Sequence, residues 1–283
     1  MIASFFRYLK DLIWRNDNLD WIEDLQELCD EQNMEIDSIP LVIDNPKVMP
    51  MVRGHAFEFA LTRLLEKSLP KQYKVSNPYM NAQLGLHDID VKIEEVKTGG
   101  KWSAECKLSS KGSFKYRKHP TLGKIPSFQV KCMRSRTYTE KKAKEVAPKI
   151  GVDWKELVVH NDQYRSADFD IVASSLANAF YITDDDGHFA YSPGDINKGK
   201  GKEYLDHFGI NQKQCFETVV FARSEDIIPK NTPDFPCRRK VCYDPDCGFV
   251  PNYPTVWLKE DRLGVEPPWV LIDELPALLE AGP

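Results

Sequence analysis

No stretch of this 283-residue chain approaches the roughly 18 consecutive apolar residues of a membrane-spanning helix, so such a helix is excluded. A secretory leader is also missing: the apolar run at residues 2–6 is short, and Arg7 and Lys10 break the apolar character directly after it. A cytoplasmic location is therefore expected. Cysteine is sparse and odd in number, seven residues scattered along the chain, which argues against a disulfide framework and for reduced thiols. GxSxG, P-loop and GxGxxG motifs are all lacking, which removes the usual hydrolase and nucleotide-binding readings. No nucleotide cofactor is expected. Internal repeats and low-complexity tracts are absent too.

The residues present are ordinary in amount and uneven in placement. Apolar residues make up 42% and charged residues 29%, values typical of a globular protein long enough to bury a sizeable core. The net charge of −5 hides a strong asymmetry. Residues 1–43 carry ten acidic side chains against Arg7, Lys10 and Arg15. Residues 97–144 carry fourteen Lys and Arg against Glu105 and Glu140. Binding to a polyanion depends on local neutralisation of phosphates, so the basic segment weighs more than the total. A solvated lysine-rich loop is the competing reading.

Helical spacing of apolar residues predicts an acidic helical hairpin over residues 4–15 and 19–32, an irregular link marked by Pro40, Pro46 and Pro50, and a strong helix over 53–67. From residue 88 to 96 the pattern alternates with period two, Thr98-Gly99-Gly100 signals a turn, and residues 102–108 alternate again. This is a β-hairpin. A helix is expected after Pro126 to about residue 136, with strands over 169–174, 179–182 and 216–222. The order implies an α/β layer fold around a mixed sheet. Residues 1–45 form an acidic helical segment in this reading, 46–228 the core, and 229–283 a C-terminal extension of the same domain.

The hairpin carries the chemistry. Residues two apart on a strand share a face, so Asp88 and Asp90 point opposite to Ile89 and Val91, while Glu105 and Lys107 point opposite to Ala104, Cys106 and Leu108. Carboxylates on adjacent strands repel unless a cation lies between them, and hard oxygen ligands suit Mg²⁺, with Mn²⁺ as a substitute. Such a metal polarises a phosphate oxygen and lowers the pKa of bound water, and Lys107 beside it orients that water or offsets developing charge.

The strand HDIDV at residues 87–91, the ECK at 105–107 and the upstream helix RGHAFEFALTRLLEK resemble the PD-(D/E)XK nuclease superfamily. The resemblance implies a restriction endonuclease-like core, a mixed central sheet flanked by helices. It implies catalysis by Asp90, Glu105 and Lys107, with Asp90, Glu105, Asp88 and Glu58 as candidate metal ligands. The proline of the family pattern is absent, which leaves a choice between Asp88 and Asp90; the (D/E)-I-D form of the strand favours Asp90. The expected activity is Mg²⁺-dependent, sequence-specific cleavage of double-stranded DNA by a homodimer, as in a type II restriction enzyme. The alternatives are a repair or phage-defence nuclease that reads structure or base modification, and a non-catalytic DNA-binding protein of the same fold. Lys111, Lys115, Arg117, Lys118, Gln129, Lys131 and Arg134 are the candidate DNA contacts.

Cys237, Cys242 and Cys247, with Cys215 or a histidine, are a candidate zinc set, but they lack paired CxxC spacing, so unpaired thiols are expected. His160, His188 and His207 show no spacing of a ligand set or triad.

Overall fold

The computed structural model describes residues 21–78, 89–134, 137–229 and 246–282, together with Phe235, Cys237, Arg239, Cys242 and Asp244. The chain divides into two compact units, Met1–Arg53 and Gly54–Pro283. In the first, α1 (Trp21–Glu31) and α2 (Ile39–Asp44) are helices, and α3 (Met49–Ser68) begins there. The expected helix over residues 4–15 lies outside the described residues. The link expected to be irregular is partly helical. Pro40 and Pro50 fall in the first turns of α2 and α3, where a missing N–H costs no helical hydrogen bond.

In the second unit, strands β1 (Tyr73–Ser76), β2 (Val91–Glu95) and β3 (Lys101–Cys106) pair antiparallel in sequence. The β2–β3 turn has Gly99 at φ 73°, a left-handed conformation that glycine adopts without a steric cost. Then come β4 (Lys115–His119), β5 (Gly123–Gln129), α4 (Glu140–Ile150), α5 (Trp154–Val159) and β6 (Ile171–Ser175). The rest comprises β7 (Tyr181–Thr183), β8 (Phe189–Tyr191), α6 (Lys200–Phe208), α7 (Gln212–Glu217), β9 (Val219–Arg223), β10 (Thr255–Trp257), β11 (Val270–Leu271) and α8 (Leu275–Glu280).

The central sheet has order β1-β2-β3-β6-β9-β11. It is mixed, since β3 and β6 run parallel while the other neighbours are antiparallel. Alternation along the strands splits the core in two. Val91, Ile93, Trp102, Ala104, Ile171, Ala173 and Phe221 pack with Phe57, Leu61 and Leu65 of α3 and with Leu275 and Leu279 of α8. Val172, Val220 and Ala222 face a second cluster that includes Phe128, Phe180 and Trp269. Each fully buried Val, Leu, Ile or Phe side chain contributes roughly 1.5–3 kcal/mol of burial free energy, which fixes strand register firmly. The molecule is therefore α/β, with helices flanking a mixed sheet.

Three expectations are corrected. The segment after Pro126 is a strand, not a helix: β5 lies between β4 and β10, hydrogen-bonded to both. Ile125, Phe128 and Val130 are buried there, and two strand partners override any helical pattern. Residues 177–180 form a 3₁₀ turn, and the strand begins only at Tyr181. Phe216 ends in α7, with the following strand starting at Val219. The tail beyond residue 229, unassigned from sequence, adds β10 to the three-stranded sheet and β11 to the central one.

Candidate active site

The β2–β3 register pairs Val91 with Ala104, and one further step sets Asp90 across from Glu105. Trp102, Ala104 and Cys106 go into the α3-side core, so Glu105 and Lys107 project from the opposite face. The parallel partner β6 supports this end of the strand, with Glu105 beside Val172 and Lys107 N–H donating to the Ala173 carbonyl at 2.9 Å.

Three hydrogen-bonding groups converge on the two carboxylates. The Cys106 backbone N–H donates to Asp90 Oδ2 at 2.7 Å. Glu105, only 8% exposed, receives Lys107 Nζ at 2.6 Å and the Tyr164 hydroxyl at 2.7 Å, both on Oε1. Lys107 Nζ also lies 5.1 Å from the centre of the Tyr164 ring. On α3, Glu58 contacts His55 Nδ1 at 3.1 Å.

The electrostatics follow from burial and from like charges. Burial pushes the Asp90 carboxyl well above its ordinary 3.8, and the Glu105 and Glu58 charges push the same way; Lys107 and the Cys106 N–H oppose them. Burial alone would draw the Lys107 ammonium down, but Glu105, Tyr164 and Asp90 hold it well above its ordinary 10.5. Lys107 is thus a fixed cation and a hydrogen-bond donor, not a proton acceptor. Burial, then Glu105, raises the Tyr164 hydroxyl, which keeps its proton and donates a hydrogen bond to the carboxylate. Cys106 is buried, with its thiol raised by burial and by Asp90, Glu58 and Glu105, so nucleophilic chemistry there is disfavoured.

Among the described residues, hydrogen bonds to this pair of acids fall on Asp90 Oδ2 and Glu105 Oε1. Asp90 Oδ1 and Glu105 Oε2 take no hydrogen bond from the described residues, and two such oxygens from facing strands are a hard donor set that fits Mg²⁺. Asp88, the other candidate ligand, lies outside the described residues.

Tyr164 was not legible as a site residue, since it comes 59 positions after Glu105. Its surroundings are cationic. Arg134 lies 5.5 Å from its ring centre and pairs with buried Asp168 at 3.2 Å. Arg165 grips the same carboxylate with Nε at 2.9 Å and Nη2 at 2.6 Å.

The expected DNA contacts differ in exposure and in partners. Lys115 and Lys118 are exposed on β4, and Lys131 is exposed just beyond β5, in extended chain rather than a helix. Lys111 is exposed but bonded to Thr183 Oγ1 and set over the Phe189 ring. Arg117 is committed inside the protein, donating to the Ser127 carbonyl and Oγ, the Ser113 carbonyl and Gln129 Oε1. Gln129 donates in turn to the Tyr253 carbonyl, and Arg134 is held by Asp168.

No protein-family model, curated protein or solved structure matches this chain. Among the described residues no helix is long and apolar enough to cross a membrane.

Proposed function

We propose that this chain is a Mg²⁺-dependent, sequence-specific endonuclease of the PD-(D/E)XK type that hydrolyses phosphodiester bonds in double-stranded DNA, as a type II restriction enzyme does. The observation that carries the reading is the pair of buried Glu105 and half-buried Asp90 on facing strands, each with an oxygen that takes no hydrogen bond from the described residues, beside a lysine held as a cation. Bound Mg²⁺ (or Mn²⁺) supplies charge neutralisation and an acidified water. Asp90 and Glu105 hold the ion, Glu58 adds charge from α3, and Asp88 is the second candidate on its strand. Lys107 donates to the attacking water or to the phosphate oxygen on which charge develops. Tyr164 and the Cys106 N–H fix the orientation of the two carboxylates that would hold the ion. A homodimer supplies two such sites for the two DNA strands, acting in the cytoplasm, and no nucleotide cofactor enters.

The test is cleavage of plasmid and phage DNA by the purified chain with Mg²⁺, against EDTA and against Glu105→Ala. Mg²⁺-dependent cutting at discrete sites, lost in Glu105→Ala, is expected. A Glu105→Ala protein that retains a substantial fraction of cleavage sinks the assignment. Specific binding without cutting by the wild type replaces it with a non-catalytic DNA-binding role.

A further inference from the structure

A second metal-ligating cluster lies apart from the carboxylates. His160 and the thiols of Cys237, Cys242 and Cys247 bring their ligand atoms within 4.8 Å of one another, with Cys237 Sγ 4.0 Å from His160 Nδ1. Sequence spacing gave no sign of the fourth member, because His160 precedes Cys237 by 77 residues. We propose that these four side chains bind one structural zinc ion.

The donor set decides the metal. Three sulfurs and one imidazole form a Cys₃His set, soft enough to select zinc over the hard cations that suit Asp90 and Glu105. Tetrahedral zinc, with bonds of about 2.3 Å to sulfur and about 2.0 Å to nitrogen, separates its ligands by roughly 3.5–3.8 Å. The side chains therefore need to draw in by only about 1 Å. Four protein ligands fill the coordination sphere, so the ion has no open position for catalysis.

The surroundings are built to hold this ligand set. His160 is 2% exposed, and its ring stacks on Phe249 at 4.1 Å and 10°. Gln163 Oε1 lies 2.7 Å from His160 Nδ1, a hydrogen bond that this nitrogen keeps when Nε2 is the zinc ligand and gives up when Nδ1 is, and the Gln163 amide donates to the Val250 carbonyl at 3.0 Å. Arg239, between two of the cysteines, donates to the same Gln163 Oε1 at 3.1 Å and pairs with Asp162. Beyond Cys247, Phe249 bridges to Arg165, and Val250 N–H donates to the Tyr164 carbonyl at 2.8 Å. The zinc thus ties the cysteine-bearing segment to residues 160–165, closing a long loop in the chain. The same short segment carries Tyr164.

The experiment is elemental analysis of the full chain, purified under reducing conditions, with Co²⁺ substitution as a second readout. About one zinc per chain is expected, with thiolate-to-cobalt charge-transfer bands and tetrahedral d–d bands on Co²⁺ loading. Cys237→Ser and Cys242→Ser should lose the zinc, whereas Asp90→Ala should keep it, a result independent of any nuclease activity. The proposal is overturned by a wild-type chain with neither zinc nor cobalt–thiolate bands, by a disulfide among the three cysteines, or by zinc that survives both serine substitutions. If the serine variants fail to fold, the wild-type cobalt spectrum decides.

Discussion

Asp90→Asn should stabilise the metal-free protein. The substitution keeps an oxygen to accept the Cys106 N–H and removes a charge that burial, Glu105 and Glu58 all disfavour. A carboxyl whose folded pKa is raised costs stability as pH climbs from its unfolded value, near 3.8, through the folded value. The gain from asparagine should therefore be absent in acid, grow above that range, and be fully present only above the folded pKa. Each unit of displacement takes about 1.4 kcal/mol from the folded state once both values are passed. At roughly 2–4 °C per kcal/mol for a chain of this size, a single unit corresponds to about 3–6 °C in Tm. Magnesium should reverse the order. At about ten times its dissociation constant it stabilises the wild type by about 1.4 kcal/mol, and the variant, lacking one ligand, should gain far less. Thermal melts across pH, in EDTA and with Mg²⁺, read both effects. An asparagine variant that melts at or below the wild type in EDTA near neutral pH refutes the electrostatic reading. Equal Mg²⁺ shifts in the two proteins refute the ligand assignment.

Tyr164→Phe removes the hydroxyl that fixes Glu105 Oε1 and should reduce metal affinity or cleavage rate about 10–100-fold, read from an Mg²⁺ titration of cleavage. A titration that coincides with the wild type would make the tyrosine mere packing. Asp168→Asn should cost about 3–5 kcal/mol in urea unfolding, because a nearly fully buried carboxylate holds both Arg134 and Arg165. A loss below about 1 kcal/mol would mean that the guanidinium groups find water. If exposed Lys115 and Lys118 meet phosphates, alanine at each should weaken cognate and random duplexes alike and flatten the dependence of log K on log salt by about 0.9, measured in Ca²⁺. Arg117→Ala should instead lower the melting temperature, since its guanidinium braces the β4–β5 sheet from within. A pure binding defect with an unchanged melt would reverse that assignment.

The hairpin was readable from sequence because its signals are local. Period-two alternation puts Glu105 and Lys107 on the face opposite Trp102 and Ala104, and the Gly99-Gly100 pair ends one strand and starts the next. Helix α3 was readable for the same reason, since its buried Phe57, Leu61 and Leu65 recur at helical spacing. The tertiary structure alone decided the rest. Strand β5 looked helical because its pairing with β10 comes from residues about 130 positions later, which no local pattern encodes. The hydroxyl on Glu105 comes from Tyr164, and the imidazole near Cys237 from His160; neither residue shares a motif with its partner. Local periodicity is fixed by backbone geometry, whereas contacts between distant segments depend on which buried surfaces find each other, and only the folded chain reveals them.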